Sequence, residues 1–147
     1  MQKEYDVIVL GAGASGMVAA LAVHENGSSV GLFEKQNLIG GTAGVSGGII
    51  WAPMNSYMKE KDIADDREKA IEYFMSLSNN DIDPILLESF IDNCATAIDF
   101  IEENTEASFY ILDGYPDYYL DRPGALEGGG RALDNNLFDF SRLGSWA

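Results

Sequence analysis

The sequence predicts an α/β fold: a parallel sheet with helices, incomplete in this chain, followed by a helical segment. Three observations carry the prediction. A short β-branched run empties into a glycine turn at residues 11–16, and a second apolar run ends in an acid at Glu34. Two stretches with helical apolar spacing then follow between residues 66 and 103.

Val7, Ile8, Val9 and Leu10 form the first strand, apolar on both faces as in a buried parallel sheet. It runs straight into Gly11-Ala12-Gly13-Ala14-Ser15-Gly16, a GxGxxG spacing. Gly11 permits the tight turn, Gly13 lets the backbone approach a pyrophosphate, and Gly16 lets the next helix pack close to the strand. That helix is expected over residues 14–26, opening with Ala14 and Ser15, so that its free N–H groups and positive dipole end face the phosphates. Gly27 reads as its C-terminal cap. A second strand over residues 29–33 ends in Glu34, which lies 23 positions after Gly11. A carboxylate at that spacing accepts hydrogen bonds from an adenosine ribose, and it repels the 2′-phosphate of an NADP-type ligand. A lone GxGxxG is weak evidence. Strand, turn, helix, strand and acid in this order make a Rossmann-like dinucleotide site.

Glu34-Lys35 leads into Gly40-Gly41-Thr42-Ala43-Gly44-Val45-Ser46-Gly47-Gly48, with five glycines in nine residues. So little side-chain bulk lets a backbone rich in N–H donors lie against a flat ring or a phosphate. Val45, Ile49, Ile50 and Trp51 are interleaved and call for burial, which a free linker would not supply. Thr42, Ser46, Gly47 and Gly48 therefore join Gly40 and Gly41 as expected ligand contacts.

These residues resemble a known family. Glu-Lys, Gly-Gly-Thr-Ala, then Ser-Gly-Gly with Trp51-x-Pro53, is similar to the FAD-binding region of the fumarate reductase/succinate dehydrogenase flavoprotein superfamily. The Trp-x-Pro ending resembles the 3-ketosteroid (3-oxosteroid) 1-dehydrogenase branch. Further along, Gly114-Tyr115-Pro116-Asp117-Tyr118-Tyr119, Gly128-Gly129-Gly130-Arg131-Ala132-Leu133 and Arg142-Leu143-Gly144 resemble segments of the same branch, with Ala132 where the family often has Ser. The resemblance spans residues 5–144 and implies FAD as the cofactor, held by Gly11, Gly13, Ala14, Ser15, Gly16, Glu34, Lys35, Gly40, Gly41, Thr42, Ser46, Gly47 and Gly48. It implies a small-molecule substrate, a 3-ketosteroid or similar enone-forming ketone, and an external electron acceptor.

The catalytic role also comes from the resemblance. Tyr110, Tyr115, Tyr118 and Tyr119 crowd a turn-rich segment, where tyrosines alone would read as amphipathic packing. In the family the first Tyr after this Asp lies at the substrate site, which implies Tyr118 as a catalytic residue. The implied reaction is a dehydrogenation beside a ketone. A tyrosinate-like base takes a proton from steroid carbon 2, and hydride leaves carbon 1 for the flavin. Tyr118 would tune and assist that base, since a free phenol near pKa ~10 is a poor base at neutrality.

The two helical stretches read as scaffold. Ala70, Ile71, Phe74, Met75 and Leu77 form one apolar face; Asp83-Pro84 caps a second helix with Leu87, Phe90, Ile91, Cys94, Ile98 and Ile101 on one side. Cys94 is the one cysteine and His24 the one histidine, so neither a disulfide nor a clustered metal site can be assembled from them. Apolar residues at 46% support a core. With 24 acids against 9 bases, a net charge of −15 repels nucleic acid and anionic headgroups. No stretch approaches the ~20 apolar residues of a membrane helix, and no signal-peptide pattern opens the chain, so a cytoplasmic setting is expected.

Length sets the domain expectation. A doubly wound fold needs two strand–helix halves, and only the first two strands are legible. Family members are several times longer, with a catalytic domain inserted into the FAD domain. Residues 1–147 therefore read as the N-terminal portion of an FAD-binding domain, lacking the catalytic domain and the returning flavin segment, and inactive alone. Three rivals stay open: a ketosteroid 4-dehydrogenase or fumarate/enoate reductase relative, an inactive nucleotide-binding fragment, and an NAD-dependent dehydrogenase.

Overall fold

The computed structural model describes residues 4–79 and 81–146. The chain divides into two compact units, Met1–Gly48 and Ile49–Ala147.

In the first unit, β1 (Val7–Leu10) pairs in parallel with β2 (Val30–Phe33), Val7 opposite Val30 and Leu10 opposite Phe33. The connection between them is α1 (Ala14–Glu25), which packs on both strands. A parallel pair needs such a crossover, because a tight hairpin can only join antiparallel strands. Asn26 ends the helix and Gly27 follows at φ 80°, its N–H donating to the His24 carbonyl at 2.8 Å. At the strands' entry the Ser29 N–H and hydroxyl both donate to Asp6, at 2.8 and 2.6 Å. These bonds hold the Asp6 carboxyl below its ordinary range.

One expectation needs correction here. β1 is not buried on both faces: Ile8 is 59% and Leu10 81% exposed. The described sheet of this unit has two strands, so β1 gains a neighbour along one edge alone. Val45, expected to be buried, sits in a 3-10 turn (Ala43–Val45) at 87% exposure, because a three-residue turn has no apolar face to set against the sheet.

The second unit contains elements that periodicity did not reveal. Its sheet is antiparallel, ordered β3 (Ile50–Trp51), β5 (Ala132–Asn135), β4 (Phe109–Ile111). Leu133 in the middle strand faces Ile50 on one side and Ile111 on the other. Tyr110 therefore belongs to β4, opposite Asp134, and is not part of a continuous tyrosine loop. A short α2 (Ser56–Glu60) is capped by Asn55, whose side chain accepts the Met58 N–H. Asn55 also donates to the Ala52 and Gly130 carbonyls at 2.7 and 2.9 Å, tying β3 to the approach of β5.

The two expected helices form as α3 (Arg67–Leu77) and α4 (Pro84–Asn104). Asp66 and Asp83 are their N-caps, accepting from the Lys69 and Ile85 N–H groups, and Pro84 fills the first helical position. Leu87, Ile91, Cys94 and Ile98 form the buried stripe of α4. Burial pushes the Cys94 thiol's pKa up, as suits an inert core group. Met58, Ile98, Phe109, Ile111 and Leu133 make the centre of this unit's core. Among the described residues, no helix is long and apolar enough to cross a membrane.

Candidate functional site

The first cluster of expected site residues lies where β1 and β2 end. The Gly11 N–H donates to the Phe33 carbonyl at 2.7 Å, so the glycine turn starts level with the end of β2. Gly11 takes φ 101°, a conformation a side chain rarely adopts. Gly16 is packed tightly: a Cβ there would lie 1.9 Å from the Gly11 carbonyl oxygen, so α1 could not sit this close with any other residue.

Glu34 fastens this turn. One carboxylate oxygen accepts the Ala12 N–H at 2.8 Å and the other the Gln36 N–H at 2.9 Å. The Ala12 and then the Gln36 N–H hold the carboxyl below its ordinary range. The second glycine segment joins it: Gly40 donates to the Ala12 carbonyl at 2.7 Å and forms a parallel bridge with Gly13. Gly41, at φ 55°, comes so near that a Cβ would be 3.3 Å from the Gly13 Cα.

Gly13 itself supplies the test for a ligand. Its φ of −80° suits any residue, and an added Cβ would meet nothing nearer than 3.8 Å. Neither backbone nor protein packing calls for glycine there. A pyrophosphate lying against the backbone does. Gly13 caps α1, no side chain bonds to that end, and no acid occupies its first turn, which leaves its N–H groups and positive dipole end open to an anion. The cleft beside it, of ≈ 670 Å³, is lined by Gly11, Gly13, Glu34, Lys35 and Gly41 among others. The residues present fit a dinucleotide. Ala14 and Ser15 are exposed in the first turn of α1, while Thr42, Ser46, Gly47 and Gly48 follow outside this cleft.

The second cluster lies within the second unit. A mostly apolar cavity of ≈ 230 Å³ is lined by Trp51, Tyr73, Phe74, Tyr115, Tyr118 and Tyr119 among others. Trp51 stacks on Tyr73 at 6.0 Å and on Phe90 at 6.4 Å. Tyr118 is 73% exposed, and its hydroxyl lies 3.3 Å from that of Tyr115. Phe74 and Tyr73, on the α3 expected to be scaffold, are packed in the core and also line this cavity.

Beneath the tyrosines lies a buried ion cluster. Arg131 pairs with Asp65 at 2.6 Å and Asp117 at 2.8 Å, all three side chains at most 2% exposed. Arg131 also donates to the Gly124 carbonyl, and its guanidinium lies 5.5 Å from the Trp51 ring centre. Asp117 further accepts the Trp51 indole N–H at 2.7 Å and the Leu126 N–H at 2.8 Å. Burial opposes the charge on Arg131, but Asp65 and Asp117 outweigh it and raise its pKa above the ordinary value. The residue before Tyr118 is therefore pinned on three sides. Asp65 escaped sequence reading because Asp65-Asp66 looks like a solvated acidic pair; a lone Arg between glycines and Ala-Leu was the available signal.

Comparison with known proteins decides which dinucleotide this is. The FAD binding domain family matches residues 6–147. The chain belongs to that family. FAD is accordingly its cofactor. The 4-oxocyclohexanecarboxylate 2-dehydrogenase of Sinomonas cyclohexanicum is 35% identical over 142 residues, covering 97% of this chain and 25% of the relative. A 3-oxosteroid 1-dehydrogenase of Mycobacterium tuberculosis is 33% identical over 143 residues, with the same coverage. The 3-ketosteroid delta1-dehydrogenase of Sterolibacterium denitrificans, solved in complex with 1,4-androstadiene-3,17-dione, superposes with a TM-score of 0.86 at 37% identity. That match covers 95% of this chain and 24% of the solved one. The chain thus spans about a quarter of the length of the curated relatives it matches.

Proposed function

We propose that this chain supplies the FAD-binding segment and one wall of the substrate site of a flavin-dependent oxidoreductase acting on CH–CH groups. The substrate is a 3-ketosteroid, dehydrogenated between carbons 1 and 2. Residues 1–147 are assigned to the N-terminal portion of an FAD-binding domain, which agrees with their quarter share of the relatives' length.

The observation that carries the reading is Tyr118 at an apolar, aromatic-walled cavity, with its backbone pinned by a buried ion cluster. A flat, neutral ketone fits such walls. Gly11, Gly13 and Gly16, with Gly40 and Gly41, hold the cofactor's pyrophosphate against bare backbone. Glu34 meets the ribose with the lone pairs that Ala12 and Gln36 leave free, and Ala14, Ser15, Lys35, Thr42, Ser46, Gly47 and Gly48 complete the contacts. Bound FAD supplies the acceptor for the hydride. Tyr118 offers its hydroxyl to the base that removes the carbon 2 proton. An external acceptor takes the electrons on, and the reducing cytoplasm suits the single buried thiol of Cys94.

A second reading is a monocyclic oxo acid, favoured by the dehydrogenase at 35% identity whose substrate is 4-oxocyclohexanecarboxylate. Against it, among the described residues the cavity has no Lys or Arg in its lining, and Arg131 is fully engaged by Asp65 and Asp117. This wall offers a substrate carboxylate no cationic partner.

The test is turnover of the whole flavin-loaded enzyme that contains these residues, with a 3-ketosteroid and with 4-oxocyclohexanecarboxylate, wild type against Tyr118→Phe. Tyr118→Phe should keep its flavin and lose roughly 10²–10⁴-fold in steroid turnover, the range for a group engaged in proton transfer. Wild-type turnover by the variant returns Tyr118 to packing, and turnover of the oxo acid alone selects the second reading.

A further inference from the structure

We infer that Tyr115 is a positioning residue for Tyr118, holding that hydroxyl at the mouth of the aromatic cavity. The inference rests on the catalytic assignment of Tyr118 above.

The two phenols meet edge to face, with ring centres 6.0 Å apart, planes at 69° and hydroxyls 3.3 Å apart. That separation exceeds the usual ~2.7–2.8 Å of a hydroxyl pair, a loose contact of the kind that tightens when a ligand fills the site. Both rings line the cavity. Tyr118, 73% exposed, would otherwise have its ring free to swing into solvent.

The backbone that presents the pair is rigid on either side. The Tyr115 N–H donates to the Leu112 carbonyl at 3.0 Å. Gly129, at φ 77°, presses on Tyr115 so closely that a Cβ would be 2.7 Å from its carbonyl oxygen and 2.9 Å from its nitrogen. Pro116 fixes the next φ, and Asp117 is locked by Arg131, Trp51 and Leu126. After Tyr118, the Tyr119 N–H donates to the hydroxyl of buried Tyr73 at 3.3 Å. With both anchor points fixed, the freedom left to Tyr118 is side-chain rotation, and the Tyr115 hydroxyl restrains it. The bond to Tyr118 raises the Tyr115 pKa above a phenol's ordinary value.

The experiment combines kinetics of the whole flavin-loaded enzyme that contains these residues with an NMR titration of its ¹³Cζ-labelled tyrosines. Tyr115→Phe keeps the ring, and should leave flavin content and melting temperature unchanged. It should lower kcat about tenfold, the worth of roughly one hydrogen bond, with KM within twofold. In a Tyr118→Phe background the same change should have no further effect. Tyr118→Phe should in turn move the Tyr115 titration down towards ~10. An unmoved Tyr115 titration, or an equal loss from Tyr115→Phe in both backgrounds, overturns the inference. Wild-type turnover by Tyr118→Phe, with the Tyr115 titration moved down in that variant, overturns the catalytic assignment, and this role for Tyr115 with it, while leaving the contact itself intact.

Discussion

Replacing Arg131 by Met tests the buried ion cluster most directly. Met keeps most of the stem's volume, so the change is close to a pure loss of charge and donors. It strips Asp65 and Asp117, each 2% exposed at the side chain, of their shared cation. Removing one partner of a buried pair costs about 3–5 kcal/mol, because the other charge stays behind in a poor solvent. Two carboxylates are stranded here, which pushes towards the upper end. Some relief remains, since Asp117 keeps the Trp51 and Leu126 N–H groups and Asp65 keeps the Met54 N–H at 3.1 Å. About 4 kcal/mol is the expected loss. At ~2–4 °C per kcal/mol for a chain of this size, the melting temperature falls by roughly 10–15 °C. Urea unfolding followed by Trp fluorescence reads it, with Lys61→Met as the control. Lys61 pairs with Asp113 at 2.5 Å, but the side chains are 45% and 79% exposed, where a pair is worth ~0–1 kcal/mol. The triple change Asp65→Leu, Arg131→Met, Asp117→Leu should recover part of the loss. A drop for Arg131→Met no larger than the control's would refute the reasoning.

Other predictions concern the glycine cleft. Gly16→Ala drives a methyl into the Gly11 carbonyl and should cost about 1–3 kcal/mol while lowering flavin content; full retention of both would remove the close packing from the account. Glu34→Ala should weaken FAD retention by roughly 1.5–3 kcal/mol, the worth of hydrogen bonds to a charged group; unchanged flavin content in the purified variant would discard the ribose assignment. Acid should loosen the first unit. Asp6 and Glu34 both have folded pKa values below their ordinary ones, so their stabilisation is full above pH ~4–4.5 and fades as pH falls through the depressed values. Asp6→Asn with Glu34→Gln should flatten that acid limb in melting curves, and an unaltered limb would assign it to other carboxylates.

The first unit was legible because its signals are local. Val7–Leu10 and the glycine turn are adjacent, and α1 links β1 to β2 through a short span, so periodicity and turn chemistry agree. Exposure of Leu10 was not legible, because burial depends on how many strands the sheet has. In the second unit apolar spacing announced α3, and the Asp83-Pro84 cap with its apolar stripe announced α4. The sheet went unread: β3 has two residues, and β5 contains Asp134 and Asn135, both poor strand formers held there by distant partners. For the site, the glycines and Glu34 could be read as positions, but not that Glu34 also binds the Ala12 backbone. Tyr118 was reached by resemblance. Its neighbours Trp51 and Phe74 arrive from residues far away in the chain, which no spacing rule connects.

The pairing of Trp51 with Ala132 has a consequence for how the chain is made. About 80 residues must leave the ribosome after β3 before its partner strand exists, some 4–16 s at ~5–20 residues per second. β1, α1 and β2 have no such delay, since their contacts close within the first 48 residues. During the interval Ile49, Ile50 and Trp51 form an apolar edge without its strand, on a nascent chain whose first unit can already be ordered. Synthesis rate and holdase binding at that segment, more than the stability of the finished fold, should then govern the yield of the protein.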